Sequence, residues 1–241
     1  MPKEEQGRAA HWATATAEPN YKNQPPVEIT INDRAATRQA IIRRVRENGM
    51  EFVERSDWGA YKNRPDSMVN DWHYRSIAIH HAGRSAACGP AALQLQEIQS
   101  KHMERMKADD IGYHYAIDCL GNIYEGRDIR FKGEHVRQFN TAVIGIVLLE
   151  NLADPEEGGD LTAKARTFLH TIGFGRIPEA PSEQRETTEK FIKILREFFN
   201  ISVLGGHKEF PHQTKDGKIC PGKVGLAFVK QLRTRLALSA P

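Results

Sequence analysis

Seven consecutive residues, Val143 to Leu149, read Val-Ile-Gly-Ile-Val-Leu-Leu without a polar interruption. A run of that length, rich in β-branched residues and lacking alternation, suits a strand covered on both faces. Such a strand needs a layer on either side, so the chain is expected to be α/β, with a central mixed β-sheet flanked by helices. Ile77-Ala78-Ile79-His80 reads as a second short buried strand and Val203-Leu204 as a last one. Tyr113 to Asp118 and Asn122 to Glu125 read as a hairpin around Leu120-Gly121.

Helical spacing appears between these strands. Residues 33–48 carry Ile41, Ile42 and Val45 on one stripe, with Asp33 as cap and Asn48-Gly49 as stop; Arg43, Arg44 and Arg46 fall on the solvated side. Gly89-Pro90 opens a helix running to about Met106, with Leu95, Ile98, His102 and Met106 at helical spacing. Further helices are expected over 161–172, 183–199 and 223–237, with an acidic exposed loop over 151–160. Residues 1–26 lack periodicity and read as a tail. The expected organisation is an N-terminal extension over 1–50, made of that tail and helix 33–48, followed by one α/β domain over 51–241.

Composition narrows the classes. Hydrophobic residues make up 39% and charged ones 27%, the balance of a folded chain. No apolar stretch approaches the ~20 residues of a membrane helix. The first residues are polar, without the apolar core of a secretory signal. A net charge of +3 is spread along the chain with no nucleic-acid-reading motif, so no nucleic-acid partner is expected. Of the three cysteines (Cys88, Cys119, Cys220), at most two can pair, which leaves one alone.

Three residues of metal-ligating type stand at or just beyond strand ends. His80 ends one strand, His207 follows Leu204-Gly205-Gly206, and Cys220 lies in a loop with Gly217 and Pro221. Two imidazoles and a thiolate make a zinc set with a fourth position open for water. By spacing alone, hydrogen-bonded structural histidines and a small buried cysteine are the commoner explanation of the pattern.

A series of motifs in one order weighs against that plainer reading. Arg55-Ser56-Asp57-Trp58-Gly59-Ala60 comes first, then Ile77-Ala78-Ile79-His80-His81-Ala82, then Ile98-Gln99 with His102-Met103. Asp110-Ile111-Gly112-Tyr113-His114-Tyr115 runs on to Gly121-Asn122-Ile123-Tyr124-Glu125-Gly126-Arg127. Gly133-Glu134-His135, Asn140 and Ile144-Gly145-Ile146 follow, and the series closes on Gly206-His207-Lys208-Glu209 and Lys218-Ile219-Cys220-Pro221. Together they resemble the superfamily of peptidoglycan recognition proteins and phage lysozyme-type N-acetylmuramoyl-L-alanine amidases.

The resemblance implies a Zn2+ ion held by His80, His207 and Cys220, with Tyr113 and Lys218 as catalytic residues. It implies peptidoglycan as substrate, cut at the amide between N-acetylmuramic acid and the stem peptide. His135 and Asn140 match positions lining the substrate groove; His81 and His114 adjoin the motifs, and for these two packing competes with substrate binding. Trp58 is expected to anchor the core. Cys88 stands near a position that is disulfide-bonded in animal members but lacks the nearby partner, and Cys119 reads as structural or incidental. The 207–220 loop and the 151–182 segment are longer than the pattern. The competing readings are a non-catalytic peptidoglycan-binding module, which is expected to lack the cysteine ligand, and a cysteine peptidase built on Cys220. With no signal peptide, the chain is expected to be made in the cytoplasm and to reach the wall by lysis, as a phage endolysin, or by injection as a toxin. The latter would bring secretion machinery and an immunity protein as partners.

Overall fold

Successive side chains along a strand point to opposite faces of the sheet, and here both faces are covered. The computed structural model describes residues 34–83, 88–153, 179–213 and 219–241. Its strands are β1 (Phe52–Val53), β2 (Ser76–His81), β3 (Tyr115–Ile117), β4 (Ile123–Glu125), β5 (Val143–Leu148) and β6 (Val203–Gly206). They form one six-stranded sheet in the order β1-β4-β3-β5-β2-β6. Only the β3–β4 hairpin is antiparallel; β5 lies parallel to both β2 and β3. All six residues of β5 are buried, as the unbroken apolar run requires.

The helices are α1 (Arg34–Glu47), α2 (Ala91–Ser100), α3 (Ser182–Phe198) and α4 (Gly222–Leu236). Ile77, Ile79, Ile144, Ile146 and Leu148 face a core filled by Phe191 and Leu195 of α3 and by Phe228 and Leu232 of α4. Ile41, Ile42 and Val45 of α1 enter the same core, and Arg38 binds Glu125 on β4 at 2.6 Å and Glu54 at 3.1 Å. On the opposite face Ala116, Val147 and Leu149 meet Leu95 and Ile98 of α2 and Trp58. Trp58 is buried and donates its indole N–H to the Glu125 carbonyl at 2.7 Å, an anchor as expected.

Two expectations need correction. The helix opened by Pro90 does not run regularly to Met106: Lys101–Arg105 form a π turn. The wider turn keeps His102 buried and carries Met106 out to 62% exposure, off the apolar stripe. The acidic loop does not begin as an exposed one, because Asn151 and Leu152 are buried, Leu152 within the main core. Of the two readings of Cys119 the structural one holds: it is disulfide-bonded to Cys88, which joins the hairpin to the approach to α2. The rest of that loop, helix 161–172 and the capping role of Asp33 lie outside the described residues.

Candidate metal centre

Parallel strands end on the same side of the sheet, and that edge gathers the candidate ligands. His80 is the fifth residue of β2 and has no exposed surface. Its parity places it with Ala78, on the face opposite the main core. β6 delivers His207 into a short 3-10 turn, His207–Glu209, braced by the Glu209 carboxylate, which accepts from Gly206 N–H at 2.9 Å and binds Arg233 of α4 at 2.7 Å. The Lys208 N–H donates to the Cys220 carbonyl at 3.0 Å, which draws the cysteine beside the turn. One ligand atom from each of His80, His207 and Cys220 lies within 4.8 Å of the others.

Hydrogen-bond partners assign the ring nitrogens. His135 is buried and held neutral, because burial lowers its pKa well below the usual imidazole range. Its Nε2 lies 3.3 Å from the Val143 carbonyl, which can only accept, so the single proton sits on Nε2 and Nδ1 is an acceptor. His80 Nε2, 3.0 Å from that Nδ1, must then donate, which leaves the His80 Nδ1 lone pair uncommitted to a proton. His207 Nε2 faces Gln213 Oε1 at 3.1 Å, and the Gln213 amide nitrogen donates to the Arg137 and Pro211 carbonyls. His207 therefore donates from Nε2. The His80 Nδ1 to Cys220 Sγ separation is 3.7 Å, against about 3.5 Å for an edge of a tetrahedral zinc site with Zn–S and Zn–N near 2.3 and 2.0 Å. The residues present fit the ion.

The 154 residues from 70 to 223 match the model of the N-acetylmuramoyl-L-alanine amidase family, Amidase_2, and this span includes His80, His207 and Cys220. The chain belongs to that family. Among relatives of this amidase-family chain, Drosophila melanogaster peptidoglycan-recognition protein SC2 is 33% identical over 131 residues, 54% of this chain and 71% of the relative. Peptidoglycan-recognition protein SD of the same fly is 30% identical over 75% of this chain and 84% of the relative. Solved structures share the fold. Drosophila PGRP-LB superposes with a TM-score of 0.58 at 21% identity, covering 79% of this chain and 96% of that one. The complex of PGRP-LE with tracheal cytotoxin, a monomeric diaminopimelic acid-type peptidoglycan, gives 0.57 at 20% identity, covering 76% and 92%.

Around the candidate ligands of this family member, Tyr113 is half-buried with its ring centroid 4.8 Å from that of His80. Burial, and then the charge of Cys220, raises its phenol pKa far above the ordinary value, so the hydroxyl keeps its proton. His135 stands behind His80 rather than in an open groove, and its ring occupies the space that a side chain on Gly145 would fill. Asn140 spends its side-chain oxygen on the His135 and Val136 N–H groups, at 2.8 and 2.7 Å. His81 Nδ1 accepts from Leu152 N–H at 3.0 Å. His114 is fully buried, its Nδ1 accepting from Gly145 N–H and its Nε2 donating to the Phe131 carbonyl, both at 2.9 Å, so it packs and does not line a surface. Lys218 lies outside the described residues. Sequence reasoning missed Gln213, because its role depends on a carbonyl contributed by Arg137, 76 positions away.

Two of these histidines make stability depend on pH. His102 Nδ1 accepts from Gly112 N–H at 2.9 Å, so His102 and His114 both use Nδ1 as an acceptor, which protonation would abolish. Burial lowers each from 6.5 to about 4. The unfolded chain then binds more protons between these values, so the stability is present above pH 6.5 and is lost as pH falls towards 4. The loss is on the order of 3 kcal/mol per histidine. Denaturant midpoints of the metal-free protein are expected to fall steadily over that range, and a flat profile would contradict the assignment.

Proposed function

We propose that this chain is a zinc-dependent N-acetylmuramoyl-L-alanine amidase that hydrolyses the lactyl amide between N-acetylmuramic acid and the stem peptide of peptidoglycan. The observation that carries the reading is the convergence of one ring nitrogen from each of His80 and His207 with the Cys220 sulfur, all within 4.8 Å of one another. Family membership supports it, and the tracheal cytotoxin in the PGRP-LE complex supports a muramyl peptide as the substrate class. Zinc in that set supplies a water with a pKa near ~7 and polarises a carbonyl.

The chain's own groups supply the rest. His80, His207 and Cys220 would hold the ion. The protonated Tyr113 hydroxyl, which hydrogen-bonds to no described residue, orients the attacking water and assists the proton transfer to the departing amine. Lys218, carried over from the resemblance, donates to the oxygen on which negative charge develops. One donor of that kind is worth ~3 kcal/mol. Water adds across the amide, giving a carboxylate on the sugar and a free amine on the peptide.

Tyr113→Phe is expected to lower kcat by about a hundredfold while zinc content stays at one per chain; full activity would remove Tyr113 from the chemistry. His135→Leu is expected to weaken zinc binding by about 10–100-fold, because it removes the acceptor that holds the His80 proton on Nε2. His135→Asn should restore part of that affinity through its side-chain oxygen, as competition with a chromophoric chelator would show. The function itself is tested by incubating the protein with intact sacculi, with and without metal stripping, and identifying products by mass spectrometry. Stem peptides and peptide-free glycan strands, lost on stripping and regained with zinc, would support the amidase. Binding without digestion would favour a recognition module, and digestion indifferent to stripping would favour Cys220 as nucleophile.

A further inference from the structure

The C-terminal edge of the sheet holds a second group of ligand-type residues, drawn from the connections that follow β2, β3 and β5. Just past the end of β5 at Leu148 the chain reaches Glu150, which is 2% exposed. Glu150 Oε1 accepts from Asn151 N–H at 2.9 Å. Its Oε2 instead faces two sulfurs, Cys119 Sγ at 3.1 Å and Cys88 Sγ at 3.5 Å. Those sulfurs are bonded to each other, and a disulfide has no proton to donate. A buried carboxylate oxygen is thus aimed at a pair of atoms that cannot satisfy it, a costly arrangement unless another state of the cluster does so. Burial also raises the Glu150 pKa above the ordinary carboxylate value.

We propose that Cys88, Cys119 and Glu150 form a second metal site, closed by the disulfide and opened by its reduction, for a thiophilic divalent cation such as Zn2+. The three ligand atoms lie within 4.8 Å of one another. In a tetrahedral site the two sulfurs would stand about 3.8 Å apart and each about 3.6 Å from the carboxylate oxygen. The Cys88 and Cys119 Cα atoms, 5.7 Å apart, allow that by side-chain rotation. Cys88 is exposed, which gives the ion an entry and a water the fourth position.

The chemistry balances with a dithiol as reductant. The dithiol gives two electrons and two protons to the sulfur–sulfur bond and becomes a disulfide itself, leaving two protein thiols. Binding of M2+ then releases both thiol protons to solvent, and Glu150 Oε2 completes the set. The cation would replace one cross-link with another, so the β3–β4 hairpin stays tied to the approach to α2 in both redox states. The proposal is independent of the amidase reading.

The test uses the full chain carrying Cys220→Ser, so that any thiolate–metal absorption comes from Cys88 and Cys119. After reduction by a phosphine and its anaerobic removal, titration with Co2+ should give thiolate-to-cobalt charge-transfer absorption saturating at one equivalent; the oxidised protein should give none. Glu150→Gln, which keeps both thiols and nearly the same shape, should lower that Co2+ affinity by at least about tenfold. Absence of the absorption in the reduced protein, or equal affinity in Glu150→Gln, would overturn the proposal. Zinc content of the oxidised wild-type chain reports on the His80 site separately: its absence there would count against the amidase reading and leave the Co2+ result interpretable.

Discussion

Cys220→Ser is expected to bring amide hydrolysis down by at least about a thousandfold. The proposed ion contributes several kcal/mol of charge stabilisation, and about 4 kcal/mol corresponds to three orders of magnitude. A serine hydroxyl is a far weaker zinc ligand than a thiolate, so the variant is expected to lose the proposed ion. The fold should survive, since Cys220 is half-buried, lies outside the disulfide, and replaces sulfur with oxygen without a change of shape. The measurement pairs zinc content with product release from sacculi, and the variant should lose both. Retained zinc with lost activity would move Cys220 from ligand to nucleophile; retained activity would remove it from the site.

Arg127→Met is expected to destabilise the protein by about 3 kcal/mol, the scale for leaving buried acceptors without their donor. Arg127 is 1% exposed and its guanidinium reaches the carbonyls of Ile111 at 2.9 Å and Lys132 at 2.8 Å and the Glu134 carboxylate at 2.9 Å. Those acceptors flank Tyr113 on one side and His135 on the other. Methionine fills much of the volume and supplies none of the donors, so the loss should appear in the denaturant midpoint, with m unchanged. A change below about 0.5 kcal/mol would mean that solvent serves those carbonyls.

Periodicity and order made much of this legible in advance. The β5 run, the β3–β4 hairpin and the stripe Ile41, Ile42 and Val45 follow from local pattern, because burial of alternate or helically spaced residues is written into neighbouring positions. His80, His207 and Cys220 were found by type, by position at strand ends and by resemblance, and the structure brings them together. The π turn over Lys101–Arg105 was not legible, since one extra residue per turn leaves the sequence looking helical. Nor were the roles of His135 and Asn140 behind the ligands, which depend on what Gly145 leaves open on a strand.

The sequence by itself therefore determined the α/β class, the elements that carry the chemistry, and the residue types offered for it. Local forces set these, because backbone hydrogen bonding and side-chain periodicity act over a few residues. Tertiary structure alone decided which nitrogen each histidine presents, which two cysteines pair, and where the Glu150 carboxylate points. Each of these rests on a partner far along the chain: His135 is 55 positions from His80, and Cys119 is 31 from Cys88. A proton or an electron pair is placed by its nearest neighbours in space, and only the folded chain defines them.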